Sequence, residues 1–183
     1  LLCSVSDKEH LETRNSAKQL EYIEWLLNRG DRKLRESHII DLQKYAVEDL
    51  YPCAGKYRVA TSDVRISGSD HELPEAALVP GLVKDAITWI NNSNRQLIER
   101  AAYALWRFNW IHPFCGGNGR TSRAIAYLVL CLGEGRMLPG TKTIPTIISK
   151  LRKNEYILSL KAADRSEKVK PEAEDPDFSL TTR

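Results

Sequence analysis

The sequence predicts an all-α fold, a helical bundle carrying one short β-hairpin. Three observations lead there. Apolar residues recur at steps of three and four through six stretches of the chain, the signature of amphipathic helices. One segment, 55–74, instead alternates β-branched and aromatic residues with polar ones between clusters of Gly and Asp, as a hairpin does. The chain has 183 residues, 42% of them hydrophobic and 28% charged, which suits one ordinary domain with a buried core and argues against disorder for the bulk of it.

In residues 9–28, Leu11, Ala17, Leu20, Ile23, Trp25 and Leu27 fall on roughly one helical face, which "RGDR" then ends. A second helix over 36–50 carries Ile39, Ile40, Leu42, Ala46, Val47 and Leu50, and Pro52 and Gly55 stop it. The stretch "GKYRVATSDVRISGSDHELP", 55–74, reads as the hairpin, with its turn near Thr61 to Asp63. Helical spacing resumes over 77–91 with Leu78, Leu82, Val83, Ala86, Ile87 and Ile90, and again over 95–111 with Leu97, Ala101, Leu105 and Phe108. His112 precedes Pro113, and a residue before proline is biased away from the α region, so the helix should end there and present the imidazole at its terminus. Residues 120–132 form the next, strongly apolar helix. The last, 143–163, has Ile147, Leu151, Ile157, Leu158 and Ala162 as its expected inner face. Residues 165–183 are polar and proline-broken and read as a flexible tail. There is no internal repeat.

Charge and cysteines narrow the function classes. A net charge of +3 does not make the concentrated basic face that nucleic acid requires. Lys142, Lys150, Arg152 and Lys153 interleave with apolar residues and read as a solvated helix face, and Trp106, Phe108 and Trp110 read as packing rather than a base-stacking platform. Cys3, Cys53, Cys115 and Cys131 show no CxxC or Cys/His spacing, so neither a zinc site nor a disulfide framework is indicated, and no residue is assigned to a metal. A reduced cytoplasmic home is expected, with secretion into a host cell as the alternative. The longest apolar run, "AIAYLVLCL" at 124–132, is far short of a bilayer span, so no membrane is expected. The chain opens on Leu1 rather than Met, which suggests a piece of a longer protein.

The chemistry concentrates in "HPFCGGNGRTSR", 112–123. Gly116, Gly117, Asn118 and Gly119 permit a turn that points its amides inward as an anion-binding nest. A helix starts immediately afterwards, so its unpaired amides and positive dipole end face the same spot. Arg120 and Arg123 are three residues apart and reach one side of that helix. A polyphosphate suits this set better than one carboxylate, because arginine offers two-pronged bonds to phosphate oxygens. Taken singly, "GGNG" is more readily an ordinary helix start and His112 an ordinary structural histidine. Together they place a base of near-neutral pKa beside a phosphate cradle, two of the parts needed to transfer a phosphorus-linked group to a hydroxyl.

This stretch resembles the signature of the Fic family, HPFx[D/E]GNGRxxR, and matches every specified position except one. The segment "AGKYR...VRISGSDHELP" resembles the family's flap hairpin and "NEYILSLKAAD" its late helix. The resemblance covers residues 9–164, leaving 1–8 as an N-terminal extension. It implies a Fic-type bundle and a protein adenylyltransferase that moves AMP from ATP to a Ser, Thr or Tyr hydroxyl of a target protein. His112 would be the general base. Gly117, Asn118 and Gly119 would hold the α and β phosphates, Arg120 the β or γ phosphate, and Arg123 the γ phosphate. Tyr156 and Asp164 fall at positions that line the nucleoside pocket in relatives, and Phe114 anchors the loop in the core. Val64, Arg65 and Ile66 of the flap would present a strand edge to an extended target segment.

The departure is Gly116, which stands where the family has the Asp or Glu that holds Mg²⁺ against the phosphates. The ion is then expected to arrive with ATP, held without the usual carboxylate, and catalysis to be slower or more demanding of magnesium. Two other readings follow from the same departure: a Fic-fold enzyme transferring phosphate, UMP or phosphocholine, and a nucleotide-binding module without turnover. Many relatives are inhibited by a helix bearing [S/T]xxxE[G/N], and no such motif occurs here. Glu134 is followed by Gly135, but Leu130 stands four residues before it. A separate inhibitory partner is one expectation, beside residues outside this sequence or no inhibition at all.

Overall fold

The structure, a computed structural model of the chain, describes residues 5–62, 64–66, 71–139 and 153–169. Among them are six α-helices: α1 (Val5–Asn28), α2 (Glu36–Val47), α3 (Val79–Asn92), α4 (Leu97–Ile111), α5 (Asn118–Glu134) and α6 (Lys153–Val169), with a 3₁₀ turn, Ala76–Leu78, leading into α3. The all-helical expectation holds. Residues 143–152, the first half of the expected last helix, lie outside the described residues, as do Lys142, Lys150 and Arg152.

α5 is the centre of the bundle. Every residue from Ala124 to Leu132 on it is buried, as befits a helix apolar all round. It packs most extensively on α4, then on α2 and α1, while α3 and α6 cover other parts of α4. Ile23 and Leu26 of α1, Ile39 and Leu42 of α2, Val83 and Ile90 of α3, and Trp106, Phe108 and Ile111 of α4 complete one continuous core. Four residues of the expected apolar faces fall outside it: Ala17, Trp25, Leu78 and Leu158 are exposed, and Ala163 supplies the buried contact of α6 instead. Helical steps of three and four fix a stripe, but which edge of the stripe meets the core is set by the neighbour's position.

The ends of the helices place the site. α2 stops at Val47, three residues before the expected end, because Leu50 N and Tyr51 N both bond to Val47 O (2.8 and 3.1 Å) and fold the chain over. α4 ends as expected at His112, its C-cap, in the left-handed region at φ 49° and ψ 57°. The hairpin expected over 55–74 is not seen as paired strands among the described residues. A turn does close at Val59 to Ser62, with Ser62 N bonded to Val59 O at 2.8 Å. The bridge found there runs elsewhere, antiparallel between Tyr57 and Phe114. The segment's strand-forming residues are used against the loop that follows α4, because that loop offers backbone partners and a buried phenyl ring, Phe114, for Tyr57 to pack on at 5.4 Å between centroids.

Candidate functional site

The turn between α4 and α5 builds the floor of the site. Gly117 is the N-cap of α5 at φ 74°, a conformation that L side chains rarely adopt. A Cβ there would also collide with Val47. The amides of Asn118, Gly119 and Arg120 are the first of α5, and intrahelical bonding starts only with Thr121 N to Gly117 O, 2.9 Å. Asn118 contributes this amide rather than its side chain. Its carboxamide is buried and brackets Phe114, accepting from Phe114 N at 3.0 Å and donating to Phe114 O at 2.8 Å.

A cavity of about 560 Å³ opens above this floor. His112, Gly117, Asn118, Gly119, Arg120, Arg123, Val64 and Arg65 all line it, so the structure brings together eight of the residues that the sequence singled out. Ile66 and Asp164 line a separate cavity of about 60 Å³ between α4 and α6, far smaller than the roughly 300 Å³ of an ordinary ligand pocket. There the Asp164 carboxylate accepts from Trp106 Nε1 at 2.8 Å. Tyr156 lies behind the arginines. Its hydroxyl accepts from Arg123 and from Asn109 Nδ2 at 3.1 Å, so it braces Arg123.

His112 is set up as a neutral base. Burial, followed by the nearby Arg58 guanidinium and His71, lowers its pKa from 6.5 to about 4, against the opposing pull of the Asn109 carbonyl. Nδ1 lies 3.3 Å from Asn109 O. A carbonyl can only accept, so this contact favours the tautomer with the proton on Nδ1 and leaves the Nε2 lone pair available. Burial also lowers the Arg123 pKa, though a guanidinium stays cationic in proteins. Arg120 Nη1 is buried without a hydrogen bond. Such an atom suits an incoming anion.

Four participants escaped the sequence. Glu12, on α1, lines the cavity with its carboxylate 3.6 Å from Arg120 Nη1. Nothing local marks it, since it lies in an ordinary amphipathic helix more than a hundred residues from the loop. Tyr51 closes over Gly116: a Cβ on that glycine would come within 3.1 Å of the ring. Gln43, wholly buried, accepts from Gly55 N at 2.6 Å and donates to Gly116 O at 3.2 Å, tying the segment after α2 to the loop. Between these contacts stands a disulfide, Cys53 to Cys115, with Cα atoms 6.5 Å apart. It overturns the expectation of no disulfide. The two cysteines are 62 residues apart, and only the return of the segment after α2 against the loop makes them neighbours, which spacing rules cannot register. It also removes the reason for expecting a reducing compartment. Among the described residues no helix is long and apolar enough to cross a membrane.

Comparisons with known proteins identify the family and the fold. The Fic/DOC family profile matches residues 33–130, more than half of the chain. The protein adenylyltransferase fic-1 of Caenorhabditis briggsae is 28% identical over 164 residues, covering 87% of this chain and 30% of its own length. The protein adenylyltransferase Fic of Nematostella vectensis is 26% identical over 126 residues, covering 67% and 29%. The chain thus spans about a third of the length of these relatives. Among solved structures, Fic-1 of Caenorhabditis elegans superposes with a TM-score of 0.66 at 24% identity, over 88% of this chain and 45% of that one. A Fic domain containing signaling protein from Bacteroides thetaiotaomicron also gives 0.66 at 24%, over 85% and 57%.

Proposed function

Because the chain belongs to the Fic/DOC family, we propose that it is a protein adenylyltransferase, transferring AMP from ATP to a hydroxyl of a target protein. The observation that carries this reading is the convergence of a half-buried, neutral His112 with the α5 amides and two arginines on one cavity. Relatives named protein adenylyltransferase support it.

In this reading the α5 amides and the arginines hold the triphosphate, the amides as an anion-binding helix terminus and the arginines by charge. Val64 and Arg65 face the same cavity and would hold the target segment beside it. His112 Nε2 takes the proton of the target hydroxyl while its oxygen attacks the α phosphorus. A bond forms from that oxygen to phosphorus, the bond from phosphorus to the pyrophosphate oxygen breaks, and pyrophosphate leaves with the electron pair. Burial keeps His112 unprotonated at neutral pH, which this step requires.

Magnesium would screen the phosphates and stabilise the leaving pyrophosphate. Position 116 has no side chain to hold it, and a Cβ there would press on the Tyr51 ring at 3.1 Å. Among the described residues no group of three or more His, Cys, Asp or Glu is assembled to hold a metal. Glu12 does fit the need. Among the described residues it is the one carboxylate in the cavity lining, and one carboxylate with phosphate oxygens and water is an ordinary magnesium environment.

The test is mass spectrometry of the protein and of a lysate after incubation with ATP labelled at the α or the γ phosphate, beside His112→Ala. Gain of one AMP in the wild type, absent from the variant, is expected. Transfer of the γ label instead would mean phosphotransfer, and binding without any transfer would mean a nucleotide-binding module.

A further inference from the structure

The last turn of α4 is finished from outside the helix. A helix leaves its final carbonyls without intrahelical partners, and here two residues of the flap segment supply them. Arg58 Nε donates to His112 O at 3.0 Å, and Arg58 Nη2 to Ile111 O at 3.4 Å and to Pro74 O. The Arg58 amide donates to Pro113 O at 2.9 Å. His71 Nε2 lies 2.9 Å from Trp110 O, which fixes it as the donor. Its ring packs 5.4 Å from that of Trp110, whose own face is covered by Arg107 at 4.4 Å.

Resting on the reading of His112 as the base, we infer that Arg58 and His71 are positioning residues for it: together they hold the end of α4 and the left-handed turn on which the imidazole is mounted. His112 takes φ 49°, an uncommon conformation for a residue with a side chain, kept where the surroundings over-determine it. Arg58 is buried, and its forked cation meets the negative end of the helix dipole and several carbonyls at once. Lysine would keep the charge but not the fork. Arg58 precedes and His71 follows Val64, Arg65 and Ile66 in the chain, so both ends of the expected target-docking segment are tied to the helix end that carries the base. Target docking and base placement therefore share one anchorage.

Among the described residues the charged and titratable groups around His112 are Arg58 and His71 on the flap side, Glu12 of α1, Tyr51, Arg65, and Arg120 and Arg123 of α5. Of these, Arg58 and His71 are the neighbours that oppose its protonation.

The experiment uses the whole chain with isotope-labelled histidine. The His112 titration is followed by NMR, and kcat and KM for ATP are measured in the same variants, Arg58→Met, Arg58→Lys, His71→Ala and His71→Gln. In Arg58→Met the His112 pKa should rise above about 4, while the burial that lowers it most stays in place, with kcat down at least about tenfold and KM for ATP within about twofold. Arg58→Lys should lose kcat while the pKa stays low, separating placement from charge. His71→Ala should lose kcat and His71→Gln, which keeps a donor, should recover it. If Arg58→Met does not fold, Arg58→Lys and the His71 pair decide. A folded Arg58→Met with an unmoved His112 titration, or folded Arg58→Lys and His71→Ala with wild-type kcat, overturns the inference. Absence of AMP transfer by the wild type would instead sink the transferase reading, and the titration arm would still decide this one.

Discussion

The Tyr51 ring stands against Gly116, 3.1 Å from where a Cβ on that glycine would lie. A carboxylate restored at position 116 would therefore have to push this ring back by a few tenths of an ångström. Gly116→Asp should overpack this contact and lower stability by about 1–3 kcal/mol. Adding Tyr51→Ala should recover much of that loss. Thermal melts of the two variants check this, and a Gly116→Asp protein as stable as wild type would contradict it. In the transferase assay the double variant should reach half-maximal rate at lower magnesium.

Glu12 sits 3.6 Å from Arg120 Nη1 in the cavity, where a carboxylate repels a triphosphate unless a cation lies between them. Glu12→Gln should bind ATP several-fold more tightly in EDTA and gain less from added magnesium than the wild type does. Calorimetric titration of ATP with and without magnesium measures both. Equal magnesium dependence in the two proteins would exclude Glu12 as the residue facing the ion.

The carboxamide of Asn118 makes both of its hydrogen bonds to the Phe114 backbone. Asn118→Ala leaves a buried donor and acceptor unpaired, at about 1–3 kcal/mol for such a group. The melting temperature should fall and ATP affinity with it, since the same loop carries the amides. Asn118→Asp should keep the bond from Phe114 N and lose the one to Phe114 O, giving an intermediate melt.

Reduction should destabilise the fold. Cys53 and Cys115 close a loop of 62 residues, for which the chain-entropy estimate is about 4 kcal/mol. Cys53→Ser, or wild type in excess dithiothreitol, should melt at lower temperature, and the reductant should not affect the variant further. Equal melts of oxidised and reduced wild type would refute this.

His112 also gives stability a pH dependence of definite sign. The unfolded chain takes up a proton near 6.5 that the folded imidazole refuses until about 4. The unfolded state binds more protons in that window, so acidification through it destabilises the fold, and the contribution is whole above about 6.5. Urea unfolding from pH 7 to pH 4, wild type against His112→Asn, should show a shallower fall in the variant.

Much was legible in the sequence because it depends on neighbours along the chain. Apolar steps of three and four give α1 through α5 whichever way they pack. Pro113 ends α4 at His112, and "GGNG" followed by two arginines makes a phosphate-binding helix start wherever it is placed. The cavity lining by His112, Gly117, Arg120 and Arg123 follows from that local chemistry. What only the tertiary structure decided are the contacts between distant segments. Residues 47–57 run back against 114–117, so that Tyr51 covers Gly116, Cys53 meets Cys115, and Tyr57 pairs with Phe114 instead of with a hairpin partner. Glu12 reaches the arginines because α1 packs on α5, and Arg58 reaches His112 because the flap segment returns to the end of α4. Helical periodicity reports which face of an element is buried. It carries no record of which residue, half a chain away, will stand on the other side.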